Sequence, residues 1–195
     1  VKSHKEQGYQ AIVRNVEQGQ ATLGAALLVR ADSGIDSIAD LKGKKIVFGG
    51  DRTAMQAYVT ATYLLRRGGL RKGDYLEEFA KNPPNAVMAV HFKQADAAGA
   101  GDHVLAMPML AKQIDTSQLK YLVKGEPLPH LPWAVKGSMA PDLRQVIQQA
   151  MTQLNRSPEG QAILRQMGYD GFLPTSDGDY DKHRHIISEV LGEAY

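Results

Sequence analysis

Lys45-Ile46-Val47-Phe48-Gly49-Gly50-Asp51-Arg52-Thr53-Ala54-Met55-Gln56 is the stretch on which the fold turns. A short apolar run ends at a glycine pair, and a segment free of Gly and Pro then continues to Arg67, where Gly68-Gly69 stop it. Glycines just past the last periodic residue mark a helix end. The spacing therefore predicts strand, glycine turn, helix, which is an α/β unit.

Working outward, Thr22, Ala25, Leu27, Leu28 and Val29, bounded by Gly24 and Asp32-Ser33-Gly34, read as a strand and a turn. Ser37-Ile38-Ala39-Asp40 fits a capping box, with a one-turn helix ending at Gly43. On the other side Asn82-Pro83-Pro84-Asn85 breaks the chain, and Ala86 to Phe92 resumes a helix for which Asn85 is the expected cap. Ala95 to Ala100 reads as a small-residue strand whose Gly99 and Gly101 mark close backbone approach or a bend. A helix over Pro108 to Ile114 and a strand over Leu119 to Val123 follow. In the next passage Pro127, Pro129 and Pro132 forbid a helix and disfavour a central strand.

Further on, Leu143, Val146, Ile147, Ala150, Met151 and Leu154 recur at helical spacing and predict one buried face. Ser157-Pro158-Glu159 opens another helix with Ala162, Ile163 and Met167 as its apolar side, and Asp181 to Leu191 is the last. Alternation of strands and helices argues for α/β layers around a largely parallel sheet.

Composition narrows the function classes. At 43% hydrophobic and 23% charged over 195 residues, the chain is an ordinary globular one rather than a disordered one. A formal net charge of +2 gives no footprint for nucleic acid. The absence of cysteine removes disulfides, thiolate metal sites and a Cys nucleophile. No apolar run reaches the ~18 residues of a membrane helix. Starting at Val1 without Met or signal peptide, the sequence reads as a processed or truncated start.

Among chemistry-bearing residues, the turn before the Thr53 helix stands first. A helix start presents unpaired N–H groups and partial positive charge to an anion, and Arg52 and Thr53 add a cation and a hydroxyl. The turn lacks the Gly-Lys-Ser/Thr of a P-loop and is not GxGxxG, which argues against a nucleotide site. His183 and His185, two apart on a helix, point to different faces and read as solvated surface rather than as a metal pair. Asp102-His103 lacks a nucleophile in register for acid/base work, and no Ser-His-Asp set stands out. Asp96 either projects into a cleft or caps its local turn. Trp133 and Tyr121 flank the proline passage as cleft wall, hinge anchor or plain packing.

Taken in order, Asp32-Ser33-Gly34-Ile35-Asp36-Ser37-Ile38-Ala39-Asp40-Leu41-Lys42-Gly43-Lys44-Lys45, Gln94-Ala95-Asp96-Ala97-Ala98, Glu126-Pro127-Leu128-Pro129, Gly171-Phe172 and Asp179-Tyr180-Asp181 resemble the phosphate/phosphite/phosphonate solute-binding proteins of ABC transporters. The resemblance implies a type II periplasmic-binding fold, two α/β lobes with a ligand cleft, the first lobe incomplete in this chain. It implies a division into 1–30 (remnant of the first lobe and first crossing strand), 31–124 (second lobe) and 125–195 (return crossing and C-terminal helices of the first lobe). The family's Ser/Thr-rich anion grip falls, without gaps, on Ala54-Met55-Gln56-Ala57, where the hydroxyls are missing; its histidine-acid pair falls near Pro84-Asn85. Asp96 occupies the family's acidic position. The ligand-binding residues so implied are Arg52, Thr53, Ala54, Met55, Gln56, Asn85 and Asp96.

The function implied is the periplasmic or lipoprotein-anchored solute-binding component of an importer. It would hold a small oxyanion such as phosphonate, phosphite or phosphate, present it to a membrane permease, and need neither cofactor nor metal. Its rivals are a ligand-sensing extracytoplasmic domain of a signalling protein and an enzyme built on the same fold. The scattered histidines and absent cysteines count against the enzyme.

Overall fold

Ala25, Ala26, Leu27, Leu28 and Val29 have no solvent exposure at all, and they form the strand around which the larger part of the molecule is built. The structure is a computed structural model and describes residues 2–193. The chain divides into two compact units, one of Val1–Leu23, Leu128–Ser188 and Glu193–Tyr195, the other of Gly24–Pro127 and Glu189–Gly192.

In chain order the elements are α1 (Lys2–Gln7), β1 (Tyr9–Val16), β2 (Thr22–Leu23), β3 (Ala25–Arg30), β4 (Lys45–Gly49), α2 (Ala61–Arg67), β5 (Leu76–Ala80), α3 (Pro83–His91), β6 (Ala97–Gly101), α4 (Pro108–Ala111) and β7 (Leu119–Lys124). Then come β8 (Leu128–Pro129), β9 (Pro132–Lys136), α5 (Pro141–Thr152), α6 (Pro158–Met167), β10 (Gly171–Pro174) and α7 (Asp181–Leu191).

The unit containing Gly24–Pro127 holds a five-stranded sheet in the order β5-β4-β6-β3-β7. β4 pairs in parallel with β5 and β6, while β3 runs antiparallel to both its neighbours, β6 and β7; four of the five strands therefore point one way, and the largely parallel sheet is made mixed by β3 alone. Burial on both faces explains the unbroken apolar run of β3, since alternation survives only where one face meets water. Ala26, Leu28, Val47 and Ala98 meet Val87 and Val90 of α3 on one face. On the other, the Phe48 ring meets Tyr58 edge-on at 5.0 Å. The capping box at Ser37 forms, with the Asp40 carboxylate accepting the Ser37 N–H at 2.9 Å.

The other unit carries an antiparallel sheet in the order β10-β1-β9, with Ile12, Val13, Leu164 and Phe172 at its core. The proline passage lies where its chemistry permits: β9 is an edge strand with Pro132 at its first position. Trp133 is 39% exposed, with its ring edge-on to Phe172 and its indole N–H donating to Asn15 Oδ1 at 2.7 Å.

Two apolar faces differ from their sequence pattern. No residue of α5 is fully buried; Ile147 and Met151 pack on the core, while Leu143 and Val146 are more than half exposed. In α6 the buried positions are Gly160 and Leu164, with Ile163 and Met167 between two fifths and one half exposed. Periodicity gives the width of an apolar stripe, not how much of it a neighbour covers.

Candidate functional site

Because β4, β5 and β6 run the same way, their carboxyl ends at Gly49, Ala80 and Gly101 lie at one end of the sheet. In open α/β sheets ligands gather at that end, where the loops leave the strands. Three loops do so here, through Asp51, Asn82 and Asp102.

The glycine pair is required by contact and by conformation. A Cβ on Gly49 would lie 2.3 Å from the Pro83 Cα, so the start of α3 presses directly on the turn. Gly50 has φ of 125°, which side chains other than hydrogen rarely tolerate. Its N–H donates to the Ala80 carbonyl at 2.9 Å, tying the first loop to the second.

The helix after the turn opens in π geometry over Met55–Thr60 before continuing as α2. The Ala54 carbonyl accepts the N–H groups of both Tyr58 (2.9 Å) and Val59 (3.0 Å). Ala54 has no side-chain oxygen with which to cap, so the first-turn N–H groups keep their donor capacity and partial positive charge. Met55 and Gln56 stand half-buried in that turn.

The hydroxyl and cation beside it are already engaged. Asp51 Oδ1 accepts the Thr53 N–H at 2.7 Å and the Thr53 hydroxyl at 2.5 Å. That hydroxyl, then the N–H, holds the Asp51 carboxyl below the usual carboxylate range. Arg52 donates to Glu77 Oε2 at 3.2 Å, with its guanidinium over the rings of Phe79 (5.6 Å) and Tyr58 (6.0 Å). The Tyr58 hydroxyl donates to the other Glu77 oxygen at 3.3 Å, and burial followed by the Glu77 charge raises the Tyr58 pKa.

Arg52, Thr53, Ala54, Met55 and Gln56 thus share the carboxyl end of the sheet with Asn85, which lies in the first turn of α3. The cap of α3 is Asn82, not Asn85: Asn82 Oδ1 accepts the Asn85 N–H at 2.9 Å, with prolines filling the two positions between. Asp96 lies at the opposite end. Its carboxylate accepts the Lys45 N–H at 2.8 Å and its own N–H donates to the Lys45 carbonyl at 2.9 Å, pinning the amino ends of β4 and β6 together.

Sequence reasoning missed Asp51, Glu77 and Asn82 as organisers of this end. The Pro83-Pro84 pair was the available signal for Asn82, because proline suits the first helical turn and the cap precedes it. Asp102 and His103 also reach the carboxyl end, 3.9 Å apart, with Asp102 packed against Gly24. The two-apart histidines do face different ways, but His183 is buried and only His185 is exposed. Among the described residues no group of three or more His, Asp or Glu is placed to hold a metal ion, and no helix is long and apolar enough to cross a membrane.

A family model of ABC transporter phosphonate periplasmic substrate-binding proteins matches residues 1–180. Among solved structures, XAC2383 from Xanthomonas citri bound to ATP aligns with a TM-score of 0.81 at 16% identity, over 96% of this chain and 73% of that one. A binding protein component of an ABC phosphonate transporter (PA3383) from Pseudomonas aeruginosa gives 0.74 at 17% identity, over 94% of this chain and 63% of that one. PhnD1 from Prochlorococcus marinus in complex with methylphosphonate gives 0.75 at 14% identity, over 94% and 72%. At such identities the likeness shows the fold, which is that of the type II periplasmic binding proteins.

Proposed function

This chain belongs to the periplasmic substrate-binding proteins of phosphonate ABC transporters, which are binding proteins and not enzymes, and from that premise we propose that it captures a small tetrahedral oxyanion for import. The family match over residues 1–180 carries the reading. Phosphonate, phosphite and phosphate are the ligands of this class, the periplasm is the compartment, and the partner is the permease that receives the loaded protein.

The Gly49 turn supports an oxyanion in a particular way. With hydroxyls replaced by Ala54, Met55 and Gln56, the donors left are the first-turn N–H groups, the Gln56 amide and the Arg52 guanidinium. Backbone N–H groups at a helix start suit a phosphoryl group without any side-chain hydroxyl. Arg52 is the charge-bearing member, and charge-assisted hydrogen bonds are about twice as strong as neutral ones.

Titration calorimetry with phosphate, phosphite, methylphosphonate and sulfate tests the proposal. Saturable binding of at least one phosphorus oxyanion is expected, and silence across the panel overturns it.

A further inference from the structure

Arg52 begins at the carboxyl end of β4, yet its guanidinium is not there. Phe79 is in register with Phe48, and Glu77 with Ile46, two residues further toward the amino end of the sheet. To reach Glu77, the Arg52 side chain folds back across the Phe79 ring, away from the uncapped N–H groups at Met55 and Gln56. The two partners differ in environment: the Glu77 side chain is 9% exposed and the Arg52 side chain 55%.

That asymmetry defines a resting place. Glu77 is fixed by its burial and by the Tyr58 hydroxyl at 3.3 Å, so it cannot follow Arg52 outward. Arg52 is attached through one 3.2 Å contact and two ring faces, and it retains most of its five N–H donors. The Arg52 side chain stands more than half in water, where Coulomb attraction is damped, and the Tyr58 hydroxyl stays on Glu77 when the arginine leaves, so another anion can compete for the guanidinium.

We propose that Glu77 is a built-in competitor for Arg52: it parks the arginine when the site is empty, and the arginine transfers from the Glu77 carboxylate to the ligand oxyanion on binding. This rests on the oxyanion reading of the Gly49 turn. The exchange sets affinity below what a free arginine would give, because every binding event breaks the parked pair. It also favours release, since the carboxylate reclaims the guanidinium as the ligand leaves.

Calorimetry with inorganic phosphate and methylphosphonate on four proteins tests the inference: wild type, Glu77→Gln, Arg52→Gln and the double variant. Gln at 77 still accepts the Tyr58 hydroxyl but carries no charge. Glu77→Gln tightens binding about twofold to fivefold, the range of a weak ion pair. Arg52→Gln weakens it, and adding Glu77→Gln to Arg52→Gln changes nothing further. Phe79→Leu, which removes the stacking surface and leaves every charge in place, shifts affinity in the same direction as Glu77→Gln and serves if the latter fails to fold. Weaker binding in both Glu77→Gln and Phe79→Leu overturns the exchange, as does a Glu77→Gln gain that persists without Arg52, which would be a general field effect. Failure of the wild type to bind either anion overturns the oxyanion reading itself, and the exchange with it.

Discussion

Asp51 and Thr53 close a ring at the head of the helix: one carboxylate oxygen takes both the N–H, at 2.7 Å, and the hydroxyl, at 2.5 Å, of the residue two positions on. A negative charge therefore stands at the place proposed to receive an oxyanion.

Asp51→Asn keeps an acceptor for Thr53 and removes that charge. Phosphate and methylphosphonate are expected to bind about threefold tighter by calorimetry, a modest surface-charge effect. The pH sign follows from the depressed Asp51 pKa. The ring contributes stability above the normal carboxylate range, near ~4, and loses it as pH falls through the lowered value. Unchanged or weaker binding in Asp51→Asn would show that Asp51 does not oppose the ligand.

Gly49→Ala forces a Cβ to 2.3 Å from the Pro83 Cα and 2.6 Å from its nitrogen, both backbone atoms that cannot rotate aside. Overpacking of this kind costs about 1–3 kcal/mol. A fall in thermal midpoint of several degrees is the expected outcome of a melting curve, and a neutral result would mean that α3 is free to shift.

Asn82 and Asn85 separate by role. Asn82→Ala removes the cap of α3 and is expected to cost about 1 kcal/mol in urea unfolding. Asn85→Ala leaves the cap intact, so its stability change stays within about 0.5 kcal/mol. Reversal of the two would place the cap at Asn85.

Asp96→Ala strips the acceptor from the Lys45 N–H, a hydrogen bond to a charged group worth about 1.5–3 kcal/mol. Because the carboxylate lies at the amino ends of β4 and β6, phosphate affinity at 25 °C is expected to stay within about twofold once the protein is folded. Loss of binding in a folded Asp96→Ala protein would make Asp96 a ligand contact.

His183 is 6% exposed, and burial pushes its pKa down from 6.5 to about 4. The folded protein thus resists the proton that the unfolded chain accepts. Full stability is present above the unfolded value of ~6.5 and declines as pH falls from there toward about 4, by up to about 3 kcal/mol. The urea midpoint of the wild type should drop between pH 7 and pH 5 more steeply than that of His183→Gln. Parallel curves would mean that His183 is protonated in the folded protein.

The glycine turn, the β3 run and the Ser37 capping box were legible because each is written in consecutive residues. The β5 strand was not: in Leu76-Glu77-Glu78-Phe79 its edge position exposes Leu76 while Glu77 is buried, which inverts the alternation that would announce a strand. The Arg52–Glu77 pair was out of reach for a related reason. The two residues are 25 positions apart, and only the parallel register of β4 and β5 brings them together. Leu143 and Val146 show the converse limit, a legible helix whose covering is a property of its neighbours.

The clasp between Asp96 and Lys45 also bears on how such a protein diversifies. Strand alignment is secured at one margin of the sheet, and the proposed oxyanion site lies at the other, four residues of strand or ~13 Å away. Point changes among the loops can therefore accumulate without dislodging the scaffold, and descendants of one ancestral chain can try new solutes while inheriting the same frame.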